Sequence, residues 1–150
     1  MPECHINLSV KRLSDQAIIP QYATAGSAGM DLHACLDQPL TIEPMERVKV
    51  PTGLAIALPN PGYAAFLFPR SGLGVKSGIT LPNCVGVIDS DYRGEVIVGL
   101  VNLSDTAYTV QPGDRIAQMV ILPVAQANIH VVDQLDDTDR GAGGFGSTGK

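Results

Sequence analysis

Apolar residues along this chain come in short runs rich in valine, isoleucine, leucine and aromatic side chains, and each run stops at proline, glycine, asparagine or aspartate. No stretch sustains a 3.6-residue apolar period, so the pattern predicts strands and turns with little helix. Strands are expected over residues 6–10, 30–35, 48–58, 63–68, 85–88, 95–102, 106–110, 116–123 and 129–132. The breaks Pro59-Asn60-Pro61-Gly62 and Pro112-Gly113-Asp114 are turn signals, because proline presets the φ that opens a turn and glycine accepts a positive one. Many short strands joined by tight turns predict an all-β fold, barrel-like or jelly-roll-like.

Four segments depart from that rhythm. Residues 69–78 (PRSGLGVKSG) interrupt the β pattern and resemble a short helix start, with Ser71 near the free N-terminal amides. Residues 95–103 (EVIVGLVNL) and 116–122 (IAQMVIL) are almost continuously apolar, which predicts strands covered on both faces. In a small domain the second cover is either a thick single core or another subunit, and a closed homo-oligomer is expected. Residues 139–150 (DRGAGGFGSTGK) have too little apolar surface to offset the entropy of ordering glycine, so they predict a flexible lid on a domain spanning 1–138.

That tail spells two familiar phosphate motifs, and both fail on context. Gly141, Gly143 and Gly146 match the dinucleotide fingerprint without the following helix, and Gly144 with Gly149-Lys150 resembles a phosphate loop without its Ser/Thr. What survives is simpler chemistry: glycine amides approach phosphate closely, and Arg140 can meet it with a two-pronged fork.

Composition narrows the ligand. At 150 residues and 45% apolar content one domain with its own core is expected. A net charge of −5 argues against nonspecific nucleic-acid binding, so a polyanionic ligand needs a local basic pocket, with Arg70, Lys76, Arg93, Arg115, Arg140 and Lys150 as candidates. Cys4, Cys35 and Cys84 form no CxxC pair, and no signal peptide is seen, which predicts reduced thiols and a cytoplasmic location. No apolar run reaches the roughly 18 residues of a membrane helix.

Candidate chemistry gathers in loops. Residues 25–34 (AGSAGMDLHA) put two glycines ahead of Asp31, a carboxylate suited to contacting hydrated magnesium or aligning neighbours. Residues 81–102 read as a hairpin whose loop, Asp89-Ser90-Asp91-Tyr92-Arg93, carries more functional groups than a turn needs. Residues 112–121 set Arg115 and Gln118 three apart, hence on opposite faces of a strand. His5, His33 and His130 are scattered, and neither HExxH nor GxSxG occurs, so a carboxylate-activated water is the simplest hydrolytic scheme.

Taken in order, AGSAGMDLHA, PRSGLGVKSG, NCVGVIDSDYRG, PGDRIAQM and DRGAGGFGSTG strongly resemble the five segments of the homotrimeric dUTPases, the deoxyuridine triphosphate nucleotidohydrolases. The resemblance implies a β-clip, jelly-roll-like trimer with active sites between subunits. It implies hydrolysis of dUTP to dUMP and pyrophosphate with Mg²⁺, which limits uracil incorporation into DNA and supplies dUMP for dTMP synthesis. Asp89 then corresponds to the water-activating base, and Arg70, Ser71, Gly72 and Gln118 to phosphate contacts, with Asp31 in support. The magnesium is carried on substrate phosphates and water, with no direct protein ligand assigned. Asn83 and its neighbouring backbone correspond to the uracil-pairing edge and Tyr92 to the sugar gate. By the same resemblance Phe145 would cover the base, while Arg140, Gly146, Ser147 and Thr148 would meet the phosphates. The alternatives are a dCTP deaminase on the same fold and a nonenzymatic nucleotide sensor; Asp89 and the complete tail favour phosphohydrolysis.

Overall fold

Residues 95–102 show how the apolar pattern becomes a core: Val96, Val98 and Leu100 are at most 1% exposed, while Ile97 between them is 45% exposed. This strand, β8 (Glu95–Asn102), turns Val96, Val98 and Leu100 inward by pleat geometry and buries Val101 on its other face as well, while Ile97 faces outward in a single chain. The computed structural model describes residues 5–147 and 149. Before β8 come β1 (Ser9–Arg12), β2 (Met30–His33), β3 (Leu40–Ile42), β4 (Arg47–Ala57), β5 (Tyr63–Phe68), the helix α1 (Ser71–Ser77), β6 (Ile79–Thr80) and β7 (Gly86–Ile88); β9 (Tyr108–Val110) and β10 (Arg115–Pro123) follow. They build an all-β, jelly-roll-like fold with sheets ordered β1-β4-β8-β6, β2-β10-β5-β7 and β3-β9. One apolar cluster draws on all three, including Leu32, Ile42, Val50, Ala65, Val98, Val110 and Met119.

Several expectations need correction. Residues 129–132 have strand composition but form no ladder, and Ile129 and Val131 stand 89% and 94% exposed because no strand among the described residues lies beside them. The first strand begins at Ser9, later than expected, and β3 and β6 were not anticipated, being too short to display alternation. Residues 81–102 are not a paired hairpin: β7 pairs with β5, while β8 pairs with β4 and β6 in the other sheet. Ser71 is the first residue of α1, after an extended Arg70, and caps nothing with its side chain. Cys4, Thr148 and Lys150 lie outside the described residues. Among the described residues no helix is long and apolar enough to cross a membrane.

A single buried amide ties the end of β3 and the loop after β8 to the core. Asn102 is fully buried, donates to the carbonyls of Ile42 at 3.0 Å and Thr106 at 2.8 Å, and accepts from Ser104 N–H at 2.9 Å and Ser104 Oγ at 2.8 Å. Every hydrogen-bonding site of its side chain is thus used. Asn102→Leu is expected to destabilise the fold by about 3 kcal/mol, because it strands the buried Ile42 carbonyl and the partly buried backbone groups of Ser104 and Thr106 together. Urea unfolding checks this, and a loss below about 1 kcal/mol with an unchanged slope would contradict the network's role.

Candidate active site

The β2-β10-β5 ladder brings three sequence-distant segments into one row. Gln118 of β10 lies opposite Asp31 of β2 on one side and Phe68 of β5 on the other, so Pro69 and Arg70 emerge beside both. Gln118 Nε2 donates to the Pro69 carbonyl at 3.1 Å, anchoring the start of the α1 segment. Asp31 then divides its carboxylate between two arginines, with Oδ1 3.4 Å from Arg70 Nε and Oδ2 3.4 Å from Arg115 Nη1. Arg70 Nη1 also reaches the Arg115 carbonyl at 3.4 Å. These contacts are long and partly exposed, suited to aiming guanidinium groups and weak enough to be exchanged for a stronger anion.

Arg115 joins this cluster against expectation. A register shift between Arg115 and Ala117 breaks the two-residue alternation of β10, so Arg115 and Gln118 reach the same neighbourhood despite their spacing. His33, one of three histidines scattered along the sequence, lies opposite Arg115 and two residues from Asp31, on the same face of β2. Burial pushes its imidazole below the ordinary value; Asp31 opposes this, and Arg115 and Arg70 add to the lowering. Its Nδ1 is buried without a hydrogen-bond partner among the described residues. A neutral His33 leaves Asp31 as the counter-charge to both arginines. The signal available in the sequence was the two-residue spacing from Asp31 in a strand.

The turn into α1 supplies the next groups. Ser71 and Gly72 occupy the exposed first turn of the helix, and a Cβ built at Gly72 would meet nothing within 4 Å. The open space at Gly72 lets a phosphate approach the backbone N–H. Lys76 lies in the last turn, away from this end.

Asp89 and Tyr92 belong to a second locus. Because β7 and β8 enter different sheets, their backbones diverge and enclose a cleft of about 230 Å³ lined by Val87, Ile88, Asp89, Tyr92, Glu95, Val96 and Ile97. Backbone groups on these diverging arms need not be spent on each other, which a paired hairpin would require. Val87 and Ile97 offer exposed apolar walls. The Asp89 side chain is exposed and has no hydrogen-bond or ion-pair partner among the described residues. Its backbone carbonyl accepts from Tyr92 N–H at 3.2 Å, closing the turn. Arg93 turns away from the cleft to donate to the carbonyls of Ser90 and Tyr92. Asn83 lies exposed before the strand, with Cys84 beside it in a left-handed conformation (φ 63°).

The tail is a string of turns. Gly141, Gly143, Ser147 and Gly149 donate to carbonyls three residues back, and Arg140 Nε donates to the Gly143 carbonyl at 2.9 Å. Phe145 is fully exposed and has a positive φ of 49°. Gly146 has open space around it. The described tail residues hydrogen-bond only among themselves and Thr138, so Arg140, Phe145, Gly146 and Ser147 are not assembled with either locus in this single chain.

Magnesium requires oxygen ligands in near-octahedral array. Among the described residues no cluster of three or more histidine, cysteine or carboxylate groups is placed to hold it. With both Asp31 oxygens facing arginines, the donor set suits an ion arriving on phosphate oxygens with its own water.

A family model described as dUTPase matches residues 15–149. A relative from Idiomarina loihiensis named deoxyuridine 5′-triphosphate nucleotidohydrolase is 53% identical over 150 residues, covering 100% of this chain and 99% of the relative. One of the same name from Hahella chejuensis is 58% identical over 139 residues, covering 93% of this chain and 91% of its own. Among solved structures, the dUTPase of Staphylococcus bacteriophage 80alpha with dUPNHPP superposes with a TM-score of 0.87 at 27% identity, covering 96% of this chain and 99% of the phage chain. A mutant dUTPase from phage phi11 of S. aureus, in which a structural Mg(II) ion is coordinated, has a TM-score of 0.79 at 24% identity over 87% of this chain and 99% of its own.

Proposed function

Since this chain belongs to the dUTPase family, we propose how its own residues hydrolyse dUTP to dUMP and pyrophosphate. The observation that carries the reading is the cleft between β7 and β8, with the unpartnered Asp89 carboxylate and the Tyr92 ring in its wall. Asp89 takes a proton from a water placed behind the α-phosphorus, the water oxygen bonds to phosphorus in line, and the bond to the bridging oxygen breaks. The electron pair leaves with pyrophosphate. Arg70, Ser71, the Gly72 amide and Gln118 balance the charge that spreads over the phosphate chain, and Asp31 keeps both arginines aimed. Bound Mg²⁺ supplies further charge neutralisation on the phosphate oxygens. The product dUMP feeds dTMP synthesis, and removal of dUTP limits uracil incorporation into DNA.

Base selection falls to Asn83 and the backbone beyond it. Uracil presents an acceptor-donor-acceptor edge, whereas cytosine reverses part of that pattern and leaves enclosed polar groups unmatched. The walls at Val87 and Ile97 crowd the 5-methyl of thymine. Tyr92 closes the sugar end, where a ribose 2′-hydroxyl would collide.

The two loci and the tail work together in a homotrimer, with sites between subunits and residues 139–150 closing as a lid over the domain formed by 1–138. Support comes from residues 124–138, which leave Ile129, Val131, Val132 and Leu135 in water in a single chain. The enzyme works in the cytoplasm with reduced thiols; Cys35 and Cys84 are free. It needs neither nucleic acid nor a membrane as partner.

Pyrophosphate release measured with dUTP, dTTP, dCTP and UTP, with magnesium present or chelated, tests the reading. Turnover confined to dUTP and diminished by chelation is expected. Ammonia release from dCTP with dUTP left intact would overturn it. Tyr92→Ala is expected to narrow the preference for dUTP over UTP about tenfold or more, and an unchanged ratio would remove Tyr92 from the sugar gate.

A further inference from the structure

Behind Tyr92 runs a connected set of contacts to which the reaction assigns no task. The Tyr92 hydroxyl donates to the backbone carbonyl of Glu95 at 3.0 Å. Its ring passes over Gly94, where an added Cβ would lie 2.6 Å from ring Cζ and 3.0 Å from Cε2. The Glu95 side chain points into the other sheet partner: Oε1 accepts from Gly53 N–H of β4 at 2.8 Å.

Gly53 occupies an interruption of the β4-β8 ladder. Pairing runs as far as Pro51 with Ile97 and resumes at Ala55 with Glu95, so Thr52, Gly53 and Leu54 stand opposite Val96 alone. The bulge is held on every side. Buried Thr52 donates its hydroxyl to the Val96 carbonyl at 2.6 Å, and the Gly53 carbonyl accepts from Leu13 N–H at 2.8 Å. Gly53 has φ +68°, and a Cβ there would stand 2.8 Å from Cys35 Sγ and 2.9 Å from Ala17 Cβ. An N–H fixed this firmly is a reference point, and Glu95 is the side chain that reaches it.

We propose that Glu95 is a positioning residue for sugar discrimination: its carboxylate, pinned to the bulged Gly53 N–H of β4, sets the height of the Glu95 carbonyl and through it the Tyr92 ring. The linkage is mechanical. Without the carboxylate, Gly53 N–H loses its acceptor and the first residue of β8 is held to β4 by its ladder pairing with Ala55 alone. The tyrosine hydroxyl then follows a carbonyl that is free to shift, and a displacement of about 1 Å is enough to change how a 2′-hydroxyl is received. Gly94 belongs to the same device, since only a residue without Cβ lets the ring lie across the chain.

This inference rests on Tyr92 as the sugar gate, so the experiment separates the two. Steady-state kcat/KM is measured with dUTP and UTP for the wild type, Glu95→Ala, Glu95→Gln, Tyr92→Phe, Tyr92→Ala and the double variant Glu95→Ala/Tyr92→Phe. Glu95→Ala is expected to raise kcat/KM for UTP about fivefold, which a merely structural lesion would not do. Glu95→Gln, which keeps an oxygen acceptor, is expected to restore the wild-type ratio. Tyr92→Phe keeps the ring and the β4 contacts while removing the bond to the Glu95 carbonyl, so it reports even if Glu95→Ala folds poorly. A similar gain for UTP is expected, with no further gain in the double variant. If Tyr92→Ala relaxes the preference but Glu95→Ala or Tyr92→Phe lowers both substrates in proportion or changes neither, the positioning role is wrong and the gate stands. An unchanged ratio in Tyr92→Ala removes the gate itself, and the inference with it.

Discussion

Asp89→Asn is expected to lower kcat for dUTP at least about 10²-fold, the usual scale for losing a general base, while leaving affinity for a nonhydrolysable dUTP analogue nearly unchanged. The substitution preserves size and shape, but an amide cannot take the proton that water must lose. The geometry around Asp89 makes the prediction sharp. Its side chain lines the cleft and has no ion-pair or hydrogen-bond partner among the described residues, so no structural bond is broken when its charge is removed. Asp91, two residues on, provides the control: it is exposed in the same turn but not among the residues lining the cleft. Asp91→Asn is expected to stay within about threefold of wild type, since an exposed charge outside the reaction contributes little. Single-turnover kinetics beside calorimetry with the analogue check both. Near-normal turnover of Asp89→Asn would take the base assignment away from this residue.

Truncation after Thr138 is expected to reduce kcat/KM for dUTP about 10²-fold while changing dUMP affinity little. The tail hydrogen-bonds only within itself and to Thr138, and Phe145 has no cover, so deleting it removes nothing from the core. What is lost lies in the closed state. Arg140, the glycine amides and Ser147 would each trade a solvent or internal contact for a charged phosphate oxygen, at about 1.5–3 kcal/mol per charge-assisted bond. Ordering a glycine-rich segment offsets part of this, leaving about 3 kcal/mol, which corresponds to the 10²-fold effect. A monophosphate lacks the outer phosphates that the proposed lid would meet, so its binding is the discriminating measurement. Equal losses for dUTP turnover and dUMP binding would show that the tail supports the site in general and does not close upon the triphosphate. Thermal unfolding of the truncated chain, expected near the wild-type midpoint, separates lost closure from lost folding.

Strand content was largely legible because burial in a sheet writes itself as local alternation. The ranges 63–68 and 95–102 coincide with β5 and β8, and 48–58 lies within a residue of β4 at each end. Turns were legible for the same reason, as proline and glycine restrict or release φ without help from distant residues. The candidate side chains were legible as polar or glycine-rich breaks in apolar surroundings, and the structure brings Asp31, Arg70 and Gln118 together at one locus and Asp89 and Tyr92 at another.

Partnership was not legible. Residues 129–132 have the composition of a strand and lie beside none among the described residues, because a ladder needs a neighbour and composition cannot supply one. Nearness in sequence likewise predicted a hairpin over 81–102, whereas β7 and β8 pair with different sheets and leave a cleft between them. The bulge at Arg115 carried a side chain to the face that spacing had denied it, and the bulge at Gly53 supplied the N–H on which Glu95 rests. From its sequence alone most of this protein's strand-forming segments and turns were determined, and its candidate polar side chains named, since each depends on neighbours along the chain. Which strands pair, where the ladder slips, and hence which groups face one another were decided by tertiary structure, because those depend on contacts between residues far apart in the chain.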